Sequence, residues 1–290
     1  MTQGWRLIFI LICSFTLIEC ANIFEPLAPK DTNPALLYEA RKEIDAGKYV
    51  SALTFLAQIT PEYGANNDVR ITYASAYAGA CGMQFIPFFN SISKANLSPP
   101  NTIFKYLRNS FTDKATSPNY CVSAEAKLKE IGSTEALRLA AMYGKKEVNM
   151  LMAILAMAKV GSILRTKSDV DGTNLLGDGI TDAGYNSCST DKISDNDILE
   201  IATGFALFIE NLPTLLGASN ATSVALTAVT ALIGVICSPM APSTGCVILD
   251  HSTLSDTEKA GIIETYRDIL ESVDVGIGLT CTPLTNACCP

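Results

Sequence analysis

The residues best placed to do chemistry lie between 168 and 197. Asp169-Val170-Asp171-Gly172-Thr173-Asn174 is followed closely by Gly177-Asp178-Gly179-Ile180-Thr181-Asp182. Calcium takes about six to eight hard oxygens, and closely spaced Asp and Asn with turn-forming glycines can deliver them. Asp169, Asp171, Asn174, Asp178 and Asp182 are therefore candidate calcium ligands. The segment does not follow the EF-hand pattern: counted from Asp169, the sixth position holds Asn174 instead of glycine, and the twelfth holds Ile180 instead of glutamate. The competing expectation is a polar turn whose Asp and Asn side chains bond to their own backbone. Catalytic signatures are scarce. The chain has a single histidine, His251, and carries no Gly-x-Ser-x-Gly elbow, no phosphate-binding loop with lysine and no His-Glu-x-x-His helix. The expectation is a protein that is not an enzyme.

Cysteines form the second group. The chain has ten. Cys13 lies inside an apolar leader and Cys20 at its end. The others are Cys81, Cys121, Cys188, Cys237, Cys246, Cys281, Cys288 and Cys289. An even number in an exported chain predicts disulfides. Cys237 and Cys246 flank a short loop and make a plausible local pair. Cys288 and Cys289 are adjacent and are expected to reach different partners. Zinc is not expected, since no Cys-x-x-Cys occurs and His251 has no cysteine at a ligand spacing. A third group is aromatic: Tyr77, Phe85, Phe88 and Phe89 are candidates to line a ligand groove, against the alternative that they are core.

The N-terminus gives the compartment. Arg6 precedes a 12-residue uncharged run, Leu7 to Ile18, which suits a signal sequence and is too short to span a bilayer. Leu17-Ile18-Glu19-Cys20 then resembles the lipobox of bacterial lipoproteins, with Glu19 where a small residue is usual. The resemblance implies cleavage before Cys20, lipid on Cys20 and a membrane anchor. Ala21 follows, with no Asp after the cysteine, which by resemblance to Gram-negative sorting implies the outer membrane. The segment Asp169–Asp182 likewise resembles the Asp-x-Asp-Gly repeats of extracellular calcium-binding proteins.

The positioning elements read as helices. Leu36, Leu37, Ala40 and Ile44 form a helical stripe closed by Gly47. Val50 to Ile59 follows, stopped by Pro61, and then Val69 to Cys81. Here the chain resembles the tetratricopeptide repeat, a pair of antiparallel helices recurring about every 34 residues. With Asn33 first, Ala40, Gly47, Tyr49, Ala52 and Leu56 fall at its marked positions, and a second start at Asn67 places Ala74 and Tyr77. Further helices are predicted over Asn101–Phe111, Cys121–Ile131, Thr134–Arg165 with a break near Gly144, Asp195–Leu216 with Pro213 bending or ending it, and Ser255–Val273. The run Val148–Val160 is nearly all apolar and should sit centrally. Ala221–Cys237 has no charge and reads as a buried helix rather than a membrane span.

These readings give an all-α class: tetratricopeptide-like hairpins followed by a helical bundle, stapled by disulfides. The expected order is a signal peptide (1–19), a tether (20–32), a helical region (33–166), an Asp/Gly-rich loop (167–193) and C-terminal helices with a cysteine-rich tail (194–290). A formal charge of −8, with no run of Lys or Arg, excludes a nucleic-acid surface. The expected function is a non-enzymatic envelope lipoprotein that binds a protein or ligand. It resembles lipoproteins with tetratricopeptide-like helices that associate with solute transporters. Two alternatives stand beside it: a calcium-stabilised structural or adhesion lipoprotein of the outer membrane, and a pore or membrane-inserting helical protein.

Overall fold

In the computed structural model the described residues are 30–83, 103–111, 116–170, 177–218, 247–273, 276–279, 281 and 288–289. Ten α-helices account for 66% of them, and no strand occurs among them, so the class is all-α. Cys20 with its leader, Phe85, Phe88, Phe89, Asp171, Asn174, the run 221–237, Cys237 and Cys246 lie outside the described residues.

The front of the molecule is a helical hairpin. Pro34 opens α1 (Asn33–Asp45), where its missing N–H costs nothing. Gly47, at φ +73°, reverses the chain into α2 (Tyr49–Leu56). Ala40 and Ala52, both fully buried, are small enough to let the two helices meet. α2 stops at Leu56, earlier than the apolar pattern to Ile59 predicts. Pro61 cannot supply the N–H that a continuing helix needs, so a four-residue turn of helix, α3 (Pro61–Gly64), intervenes. α4 (Asn67–Ala80) then starts behind an Asn66 N-cap. It serves two cores: Val69 and Ala76 join α1 and α2, while Ala74 and Ala78 join the body behind.

The body is built around α8 (Glu147–Ser168), which packs against α5 (Ile103–Asn109), α6 (Pro118–Lys129), α7 (Glu135–Ala141) and α9 (Asp195–Ala218). Residues 152–158 are all buried, as the apolar run predicted. Two glycines set the crossings. A Cβ at Gly161 would lie 2.5 Å from the Leu107 carbonyl oxygen of α5, and one at Gly204 would lie 3.1 Å from the Ala156 carbonyl oxygen of α8. The predicted break before α8 falls at Tyr143 and Gly144, both with positive φ.

α9 opens with Asp197 accepting from Ser194 N (3.1 Å) and Ser194 accepting from Asp197 N (3.2 Å), a reciprocal cap. It runs past Pro213 to Ala218; the proline removes one helical N–H without ending the helix. A 3₁₀ turn (His251–Thr253) leads to α10 (Asp256–Glu271), which carries the predicted Ser255/Glu258 capping box.

Among the described residues three disulfides staple the body: Cys81–Cys121, Cys188–Cys289 and Cys281–Cys288. The adjacent Cys288 and Cys289 do reach different partners. The tail returns to α10, where Cys289 N donates to Asp268 Oδ1 (2.6 Å) and Val273 N to Cys281 O (2.9 Å).

Candidate binding cleft and buried charge cluster

A solvent-open cleft of about 260 Å³ lies where the front meets the body. One wall is the turn Ile59–Ala65, and the other is built from α4 and the end of α6. Arg70 and Tyr73 stand one helical turn apart on α4, and Lys127 and Glu130 one turn apart at the end of α6, so each pair shares a face. Glu130 sits between two cations: its Oε1 is 2.7 Å from Lys127 Nζ, and its Oε2 is 3.4 Å from Arg70 Nε. The Lys127 ammonium lies 5.2 Å from the centre of the Tyr73 ring, a cation–π distance. Tyr73 OH donates to Leu56 O (2.6 Å), which fixes the ring against the end of α2. Burial, followed by the neighbouring Tyr77 and Glu130, raises the Tyr73 phenol above its ordinary value, so it stays neutral.

Tyr77, the one groove candidate among the described residues, is half-buried. It stacks between Tyr73 and Tyr120 with centroid distances of 6.1 and 6.0 Å. It therefore supports the cleft wall from behind and does not line the cleft.

A second cluster is buried in the body. Lys159, 0% exposed, places Nζ 2.6 Å from Glu125 Oε2, 2.7 Å from Glu200 Oε2 and 3.0 Å from Thr203 Oγ1. Glu125 also holds Lys129 (2.7 Å), and Glu200 Oε1 meets His251 Nε2 at 3.1 Å. Burial pulls the Lys159 ammonium down, but the two carboxylates outweigh it and hold the group above the ordinary lysine value. Burial pushes the Glu200 carboxyl up; the Lys159 charge and the hydrogen bonds from Lys159 and His251 bring it below the usual glutamate value. A fully charged ammonium sealed from solvent is no nucleophile or general base. The cluster fixes how α6, α8 and α9 sit together, and His251 is tied into it.

The Asp-rich loop is organised as an acceptor for its own backbone. Asp169, itself buried, takes Asp178 N on Oδ1 (2.9 Å) and Gly179 N on Oδ2 (3.1 Å). Asp178 Oδ1 takes Ile180 N (2.7 Å), and Asp182 Oδ2 takes Val170 N (2.9 Å). Positive charge beside them comes from Arg108, whose Nη2 donates to Gly179 O (2.6 Å). Among the described residues no group of three or more His, Cys, Asp or Glu is placed to hold a metal ion.

Sequence reasoning missed Lys159, Glu125 and Glu200. The available signal was a lone lysine in the run 148–160, deep enough that a partner was obligatory. The cleft residues gave no signal, because ordinary surface charges on two helices look alike before those helices meet. Comparison with known proteins finds no matching family model, curated protein or solved structure.

Proposed function

We propose that this chain is an exported, lipid-anchored helical scaffold of the cell envelope that binds a small molecule or a protein, in association with a transporter or another envelope complex. The single observation carrying the binding role is the open cleft at the joint between hairpin and body. Concave sites with a few convergent polar groups are the usual seat of ligands. Glu130 pairs with both Arg70 and Lys127 and leaves one positive charge over, an arrangement suited to recognition more than to proton transfer. Support for export comes from the apolar leader, from Cys20 and from the three disulfides among the described residues, which persist in oxidising compartments. A lipid chain on Cys20 followed by 21–32 would tether the helical body to the membrane.

Membrane fractionation tests the anchor. The native chain is expected in the membrane fraction, extractable by detergent, and Cys20→Ser is expected in the soluble fraction. Equal partitioning of both would remove the anchor. A thermal-shift screen of the purified full-length chain against a small-molecule library tests the binding role. Hits abolished by Arg70→Gln or Lys127→Met support it, and hits indifferent to both contradict it.

A further inference from the structure

The charges and walls of the cleft name a ligand class, an inference that rests on the binding role above. We propose that the cleft between α3, α4 and α6 takes a small planar monocarboxylate, with its carboxylate held by Arg70 and Lys127 and its flat body against Tyr73. Four observations converge on that chemistry.

The first is charge. Two cations face one carboxylate, Glu130, which leaves a net positive charge in a chain whose overall formal charge is −8. The cleft is therefore locally positive within a chain of net negative charge. The second is unspent hydrogen-bonding capacity. Arg70 Nε is buried with no hydrogen bond, and Arg70 Nη1 donates to Asn67 Oδ1 at 3.2 Å. The one contact of that Nε is the 3.4 Å ion pair with Glu130 Oε2, and a guanidinium fork with a desolvated N–H that makes no hydrogen bond matches one edge of a carboxylate. Lys127 has three donors and contacts Glu130 at 2.7 Å.

The third is the wall. The Tyr73 ring already carries the Lys127 ammonium over its face at 5.2 Å. Ile59, Pro61 and Ala65 supply apolar surface across from it. A flat ring seated beside Tyr73 and these apolar side chains would bring its carboxylate to the two cations. The fourth is selectivity by charge count and size. Glu130 stays in the cleft, so a dianion would meet its charge while a monoanion is balanced. The volume of about 260 Å³ admits a small molecule and excludes a helix.

The test uses the full-length chain with benzoate as probe, by titration calorimetry and by chemical-shift mapping. Benzyl alcohol, benzylamine and acetate serve as controls that remove the charge, reverse it or remove the ring. Benzoate is expected to bind at least tenfold more tightly than each control, with shifts centred on Arg70, Tyr73 and Lys127. Lys127→Met and Arg70→Gln are each expected to weaken benzoate at least tenfold. Their melting temperatures should hold, because both side chains are partly exposed. Benzylamine or benzyl alcohol binding the same cleft as tightly as benzoate would overturn the ligand class while leaving the scaffold reading in place. Absence of binding by every probe, or benzoate binding unchanged in both variants, would also overturn it; the anchor is judged separately by the Cys20→Ser fractionation.

Discussion

The front hairpin and the body solve the same packing problem with different materials. The front core, from Leu36 to Ala76, is aliphatic and small, with Ala40 and Ala52 at the crossing. Its ion pairs, Arg41–Asp68 and Lys42–Glu39, lie at the surface and contribute little. Residues 30–80 contain no cysteine. The body instead buries whole charges. Lys159 sits among Glu125, Glu200 and Thr203. Arg138, also fully buried, donates to Asn149, Glu210 and Asn211 at 2.9 Å and to Gly132 O at 3.0 Å. Arg267 ties Ile193 O (2.9 Å) and Asp195 (2.8 Å) to α10. All three described disulfides belong to the body or to its junction with α4. The difference teaches that oxidation matters to the body and the joint, while the hairpin is held by close packing and a few hydrogen bonds such as Asn33–Thr60. The cleft lies on the seam between the two.

The largest test of that contrast is Lys159→Met. It strands Glu125 and Glu200 in the interior and is expected to cost about 3–5 kcal/mol in urea unfolding. Adding Glu125→Gln and Glu200→Gln should recover most of that loss, since a neutral, well-filled site needs no cation. A single variant losing less than about 1 kcal/mol would remove the buried charges as an organising feature. Next, Cys81→Ala with Cys121→Ala opens the link between α4 and α6. With a sequence separation of 40 residues, the chain-entropy argument gives a loss of about 4 kcal/mol. Reductant should destabilise the native chain and leave this variant less affected.

In the front, Ala52→Leu should cost about 1–3 kcal/mol by overpacking the α1/α2 crossing. The same increment is expected with or without reductant, and an increment that depends on reductant would blur the distinction between the regions. The smallest effect is a slope in pH. Glu200 is held below its ordinary value of 4.5 in the folded chain. Its contribution is complete above that value and is lost as pH falls through the lower folded value. Melting temperature should therefore decline with acid below about pH 4.5, and Glu200→Gln should flatten the decline.

Much of the helical layout was legible, and the reasons are local. α8 followed from a nearly all-apolar run, α10 from Ser255 and Glu258 three residues apart, and the hairpin turn from Gly47. The separate fates of Cys288 and Cys289 followed from their adjacency. What stayed hidden was long-range. Glu200 lies 41 residues from Lys159, and no spacing rule connects them. The early end of α2 depended on Pro61 acting several residues ahead. The Asp-rich loop was visible as a cluster of oxygens. The way Asp169 turns both oxygens to backbone N–H groups, with Arg108 beside it, depends on α5 and the loop meeting in space. The cleft was hidden for the same reason, since Arg70 and Glu130 come from separate helices.

The most direct test of the central claim is the intact, non-reduced mass of the protein made in its own host, followed by mapping of its cysteines. The account predicts a chain beginning at Cys20 with acyl groups attached and with Cys81–Cys121, Cys188–Cys289 and Cys281–Cys288 oxidised. A chain beginning at Met1, without lipid and with those six thiols free, would contradict it.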